Sequence, residues 1–239
     1  DPRHVYYLAK AYFDLGTNED LTKAIPLIFA YLWGAHKSGW PEERAQACEY
    51  LCEIYRKLGQ YNNSIKAGMN ALIEQPENPS IYISVAVTFM IRQEWERALF
   101  WIKLASTIPQ KKTTLVSNPR DIQSRILEVI YQCSLHLSQI DEAWAAAYKL
   151  FEIFPNEEYT KQNFAFIDDL KTKRNITRDI INLSDYLKNT NQQHKIKPLL
   201  AAAPQVVENN PFLIELYQKN NPPTPWGKDE IAIYCGPGF

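Results

Sequence analysis

One spacing constrains this chain more than any other feature. Leu58-Gly59-Gln60-Tyr61 opens a stretch that runs through Asn62-Asn63-Ser64-Ile65 to Ala71-Leu72 and Pro76. Trp95 then opens Glu96-Arg97-Ala98-Leu99, which runs on to Ala105 and Pro109. The step from Tyr61 to Trp95 is 34 residues (95 − 61). An aromatic, a small residue and a proline returning at that period are the signature of stacked two-helix repeats. Each repeat touches only its neighbours, so the chain length of 239 residues extends an array instead of enlarging one globule.

Composition agrees with such an array. Hydrophobic residues make up 46% of the chain, ample for a continuous core, and only eight residues are glycine. Scarce glycine suits helices, where an interior glycine costs about 1 kcal/mol against alanine. The net charge of −1 argues against a general nucleic-acid binder, which needs a basic face. The one basic run, Lys171-Thr172-Lys173-Arg174, is followed by Asp179 and reads as a solvated helix end. No apolar run reaches the length of a membrane span, and no signal peptide is visible. Cys48 and Cys52 lie one helical turn apart, on the face of Leu51 and Tyr55, and read as packing residues. No further ligand stands at metal-site spacing. Free thiols, with Cys133 and Cys235, fit a reducing, cytoplasmic setting. The chain starts at Asp1 and stops at Phe239, just past the apolar run Ile231–Cys235, as a piece of a longer polypeptide would.

Five helix pairs are expected. The first is Pro2–Leu15 with Leu21–Ala35, joined by a long turn at Thr17–Asp20, with Pro26 kinking or delaying the second helix. The second is a helix from Pro41 stopped by Gly59, followed by Tyr61–Glu74. The third is Ser80–Arg92 with Trp95–Thr107. Its first helix is apolar nearly all round and would read as a strand were the register not fixed. Ala9, Cys52 and Ala86 fall in the slot where paired helices cross. An insertion at 110–120 separates this pair from the fourth, Pro119–Leu137 with Asp141–Phe154, where Asp141 is the expected cap. The fifth is Glu157–Lys173 with Thr177–Lys188. The array thus occupies 1–189, with a helical cap at 190–219. A proline-rich linker follows at 220–229, and 230–239 begins a further domain.

Leu58-Gly59-x-Tyr61, Ala71 and Pro76 resemble the tetratricopeptide (TPR) repeat, well over residues 1–155 and loosely to Asn189. The resemblance implies an all-α TPR-like α-solenoid of about five antiparallel helix pairs with a helical C-terminal cap. The order of TPR pairs, inserted loop, cap and Ile-Tyr-Cys-Gly-Pro-Gly-Phe also resembles, more weakly, the TPR region of bacterial and phage multidomain glycosyltransferases of family 2 type. That resemblance places nucleotide-sugar chemistry outside these residues, since the acidic Asp-x-Asp motif is absent and Asp168-Asp169 sits in a helix pattern.

No serine or cysteine has a base at a telling spacing, and His4, His36, His136 and His194 fall in different repeats. The expectation is a module without catalysis or cofactor. In the TPR fold the first helix of each pair lines a concave groove. The register places Arg3, Tyr6, Lys10 and Phe13 there, then Gln46, Glu49, Glu53 and Arg56. Ile83, Val87 and Met90 follow, then Arg125, Glu128, Gln132 and His136. The groove is mixed in charge with an apolar centre, and suits a protein segment or an adjacent domain of the same polypeptide. Two readings stay open: a scaffold joining domains of a glycosyltransferase-associated protein, and a stand-alone peptide-binding adaptor. Ile83, Val87 and Met90 can equally be covered by the array itself.

Overall fold

A computed structural model describes residues 2–34, 39–109 and 119–220. Among them there are twelve α-helices and no strand. They are α1 (Pro2–Leu15), α2 (Asn18–Trp33), α3 (Pro41–Lys57), α4 (Tyr61–Glu74), α5 (Pro79–Ile91) and α6 (Trp95–Thr107). Next come α7 (Pro119–His136), α8 (Ile140–Ile153), α9 (Glu158–Asn189), α10 (Ile196–Ala201), α11 (Pro204–Glu208) and α12 (Pro211–Asn220). The chain divides into two compact units, residues 1–167 and 168–239.

In the first unit the helices pack as four consecutive pairs, α1 with α2 through α7 with α8. The small residues Ala9, Cys52 and Ala86 are all sealed in the core. Around them Leu21, Ile28, Leu51, Ile54, Ile81 and Ile102 are fully buried. Each such side chain contributes about 1.5–3 kcal/mol of transfer free energy. The turns within the pairs share one conformation. Gly16 and Gly59 follow α1 and α3 at φ +74° and +72°, and Gln93 and Ser138 follow α5 and α7 at 61° and 58°. The bonds Gln60 N–H to Tyr55 O, Glu94 N–H to Phe89 O and Gln139 N–H to Ser134 O close the helix ends, at 2.7, 3.0 and 2.8 Å. This is the six-to-one bond of a Schellman cap.

The all-α TPR-like solenoid is what the chain forms, with four differences from the sequence reading. The stretch Thr17–Asp20 is not a long turn: α2 starts at Asn18, and the Thr17 hydroxyl accepts the Asp20 N–H at 3.2 Å. Pro26 lies inside α2 without delaying its start. Asp141 is the second residue of α8, whose cap is Gln139. There Asp141 serves the helix dipole and not the cap. The fifth pair is a single helix, α9, of 32 residues. Nothing between Lys173 and Thr177 breaks a helix, and the Thr177 hydroxyl donates to the Lys173 carbonyl at 2.8 Å, an i to i−4 bond within the helix. The basic run therefore lies in mid-helix. The bulk of the insertion, 110–118, and the linker and following segment, 221–239, fall outside the described residues.

In the second unit, Ile180 and Leu187 of α9 pack with Ile196, Leu200, Leu213 and Leu216. The helical cap expected here is divided into short helices. A 3₁₀ turn at Gln193–Lys195 precedes α10, α11 ends at Glu208 with Asn209 as its cap, and Pro211 starts α12. The Asn210 side chain accepts the N–H groups of Phe212 and Leu213 at 3.0 and 3.2 Å, capping α12.

Candidate interaction groove

The first helices α1, α3, α5 and α7 carry the fifteen side chains assigned to the groove. The structure sorts them into a closed floor and an open rim. Tyr6, Glu49, Ile83 and Glu128 occupy equivalent register positions. Tyr6 and Ile83 are 4% and 0% exposed, so neither offers a surface to a partner. Both α3 and α7 pack on α5, and Ile83 belongs to one buried cluster with Ile126 and Val129 of α7. Val87 and Met90 are half-buried on the same helix and remain partly open.

The floor is tied across neighbouring repeats by polar side chains. Tyr6 Oη donates to Gln46 Oε1 at 2.5 Å, and burial pushes the Tyr6 phenol well above its ordinary range. Ser84 Oγ donates to Glu49 Oε1 at 2.9 Å. Burial raises the Glu49 carboxyl above the usual range. The Ser84 bond and the charges of Arg125 and Arg56 pull it back, while Glu53 adds to the rise. Arg56 donates to the Ser84 carbonyl at 3.1 Å and stands 4.0 Å from Glu53. Hence α3 holds α5 through both a carboxylate and a guanidinium.

The remaining positions form the rim. Arg3 lies 3.7 Å from Glu43 and 5.0 Å over the Trp40 ring. Lys10 pairs with Asp14 at 2.5 Å. Phe13 stacks on Tyr50 at 4.6 Å, with the Lys57 ammonium 5.1 Å above its ring. Glu128 accepts from Tyr159 Oη at 3.2 Å. Arg125 and Gln132 are exposed. His136 lies flat on Trp95, with ring centroids 3.8 Å apart and planes 5° from parallel.

Sequence reasoning missed Ser84, Tyr50, Lys57 and Trp40. Ser84 was hidden in a helix that reads as apolar all round; a lone hydroxyl at that point was the available signal. Tyr50 adjoins Glu49 in sequence, at the next register position, and brings an aromatic wall to the α1–α3 end. The arrangement holds charged and apolar side chains at fixed spacing and can present them to an extended or helical segment. Among the described residues, no group of three or more His, Cys, Asp or Glu is placed to hold a metal ion. No described helix is long and apolar enough to cross a membrane.

No family model matches the chain, and no curated protein matches it in sequence. Solved structures do match. The pilF protein of Pseudomonas aeruginosa is 14% identical, over 91% of this chain and 96% of that one, with a TM-score of 0.56. The first TPR of Spaghetti (RPAP3), bound to the HSP90 peptide SRMEEVD, is 16% identical over 54% of this chain and 95% of that one, at 0.46. A thermophilic TPR protein of Thermus thermophilus is 19% identical over 70% of this chain and 81% of that one, at 0.43. At these identities the likeness is one of fold alone: the chain is a TPR-like helical-repeat solenoid.

Proposed function

We propose that this chain is a non-catalytic interaction scaffold whose α1–α3–α5–α7 face takes a segment of protein. One observation carries the reading. The groove floor is bonded to itself across repeats, through Tyr6–Gln46, Ser84–Glu49 and Arg56–Ser84, while Lys10, Val87, Met90, Arg125 and Gln132 stay open along the same face. A face ordered before its partner arrives binds with less entropy to lose. The partner that suits it is an amphipathic helix or extended segment, with an apolar side chain against Val87 and Met90 and both charge signs around it.

The finer alternatives remain those of the sequence. A segment of the same polypeptide in a glycosyltransferase-associated protein is supported by the sequence resemblance, and a free peptide by the groove alone. Selection of binding peptides from a random library tests the common core of both. Selected peptides should share an apolar anchor and lose binding to a Val87→Glu, Met90→Lys variant by tenfold or more, about 1.4 kcal/mol. Peptides that bind the variant as well as the parent would refute the groove as the site.

A further inference from the structure

Tyr7, Leu8, Ala11 and Leu15 form a stripe on α1, one step around the helix from the groove positions Tyr6, Lys10 and Phe13. The stripe is open: Tyr7, Leu8 and Leu15 are 56%, 48% and 65% exposed, and Ala11 is exposed with them. The repeat register says what these positions do elsewhere. Their counterparts are Tyr50, Leu51, Ile54 and Leu58 on α3, and Ser84, Val85, Thr88 and Arg92 on α5. All four on α5 meet the pair before them. Ser84 bonds to Glu49 at 2.9 Å, Thr88 Oγ1 lies 3.0 Å from Ser64 Oγ, and Arg92 donates to Asn62 at 2.9 Å. Val85 sits so close to Gly68 that a Cβ there would stand 2.5 Å from it. On α3, Leu51 and Ile54 are sealed, and Tyr50 stacks on Phe13 of α1. These are the positions by which one helix pair stacks on the preceding one. On α1 they face outward, and among the described residues no helix covers them.

Water does not suit this face. The terminal unit of a solenoid stays soluble by turning polar residues outward, yet α1 turns out two leucines and a tyrosine. Tyr7 leans edge-on against Tyr6, with ring centroids 5.3 Å apart, so its ring is held in place. An ordered apolar patch of this kind marks an interaction site. The opposite end of the first unit is closed. The start of α9 stacks Phe164 on Phe151 at 5.5 Å and sets it beside Trp144 and Tyr148 at 6.0 and 5.5 Å, and Ile167 is fully buried. A head-to-tail contact between copies therefore lacks its second half, and a copy can meet this face only with the same face.

The stripe is matched to itself. Tyr7, Ala11 and Leu15 stand at i, i+4 and i+8, with the small residue in the middle. An antiparallel crossing centred on Ala11 lets two backbones approach there and lays Tyr7 of each copy over Leu15 of the other. The charges agree with that direction. The positive end of each helix dipole, with His4, meets the negative end, with Asp14; a parallel crossing would set like ends together. We propose that two copies of this chain associate through α1, in a twofold antiparallel pairing of Tyr7, Leu8, Ala11 and Leu15. The contact is one helix wide, below the area of a standard interface, about 1,200 Å², so the dimer is a weak one.

Sedimentation equilibrium of the whole chain over a wide concentration range tests this. The average mass should rise from monomer toward dimer with concentration, and a Leu8→Glu, Leu15→Glu variant should weaken the association tenfold or more. Both side chains are exposed, so that variant should keep the melting temperature of the dilute parent; Ala11→Arg gives the same readout with both leucines in place. The Val87→Glu, Met90→Lys change, which tests the groove, should leave the association as it is. Oxidative cross-linking in a Cys235→Ser background reads the direction. Ala11→Cys should link to itself, and Tyr7→Cys should link to Leu15→Cys in a mixture in preference to itself. A chain that stays monomeric at every concentration overturns the proposal and leaves the face to a helix of another polypeptide. A dimer that survives both Leu8→Glu, Leu15→Glu and Ala11→Arg overturns it as well, and Tyr7→Cys linking chiefly to itself overturns the antiparallel pairing.

Discussion

Gly68, buried in α4, offers a sharp test of the packing described above. A Cβ built there would stand 2.5 Å from Val85 Cγ2 of α5 and 3.6 Å from Cys52 Sγ of α3. Real Cβ contacts do not reach the first of these distances, so Gly68→Ala forces a movement. Val85 is fully buried and β-branched, with essentially one rotamer in a helix, so it cannot swing aside cheaply. Overpacking of this kind costs about 1–3 kcal/mol. Against it stands the helix-propensity gain of alanine over glycine, about 1 kcal/mol. The balance is a net loss of about 1 kcal/mol. Val85→Ala alone removes two methyl groups and costs about 2 kcal/mol, counting the cavity. In that background the obstruction is gone, and Gly68→Ala should now stabilise by up to about 1 kcal/mol. The sign of one substitution thus inverts with the identity of a residue on the next helix. A urea-unfolding double-mutant cycle, read by circular dichroism at 222 nm, measures a coupling of about 2 kcal/mol. Gly68→Ala stabilising both backgrounds equally would refute the argument.

Three further outcomes follow from the bonds already described. Arg44 grips Glu74 Oε1 through Nε and Nη2, at 3.0 and 2.7 Å, and also reaches the Leu32 carbonyl at 3.1 Å, so one side chain ties α3 to both α4 and α2. Arg44→Ala should cost about 1–3 kcal/mol in equilibrium unfolding, a loss that added salt reduces only in part. Burial holds the Glu49 carboxyl above its ordinary value, so the native state binds that proton more tightly than the unfolded chain. Its contribution to stability is then lost as pH rises from the ordinary glutamate range, about 4.3, through the folded value. Glu49→Gln should flatten that fall and melt higher than the parent at neutral pH; a melting temperature lowered at neutral pH and unchanged in acid would contradict this. Burial also pushes the Cys48 thiol up to about 12 and the Cys133 thiol up to about 11. Mass spectrometry after brief iodoacetamide treatment at mildly alkaline pH should find both unmodified in the native chain and alkylated once denatured.

How much of this was legible before the structure depends on whether a signal was local. The bounds Tyr61–Glu74 and Trp95–Thr107 could be read directly, because an aromatic at the start and a proline past the end mark each helix. The split of α9 was misread because the repeat register demanded a turn near Arg174, while the residues there carry no glycine or proline to make one. Period alone names candidate groove positions on α1, α3, α5 and α7, but it says nothing of the bonds those side chains make. The Ser84–Glu49 bond joins residues 35 apart, and the Trp95–His136 stack joins residues 41 apart (136 − 95). Both depend on how one repeat lies on the next. Ile83 and Met90 look alike in sequence, and only the presence of helices on both flanks separates a sealed floor residue from a partly open one.

The left-handed turn residues carry a last implication. Gly16 and Gly59 occupy that conformation freely, whereas Gln93, Ser138 and Asn191 hold it with side chains attached, each at a cost of about 1 kcal/mol. Asn191 closes α9 with the same pair of bonds, Gln192 N–H to Leu187 O and Asn191 N–H to Lys188 O, at 2.8 and 3.3 Å. The turn is dictated by the helices it joins and tolerates whatever residue it is given. Such a chain can replace the glycines of these turns, Gly16 and Gly59, without a clash, since a Cβ at either meets nothing closer than 3.9 Å. A 14% identity with pilF can then accompany a shared course over nearly the whole of both chains. The same freedom, run backwards, gives a means of hardening the fold: glycine at Gln93 and Ser138 would relieve strain at turns between helices, leaving every groove side chain as it is.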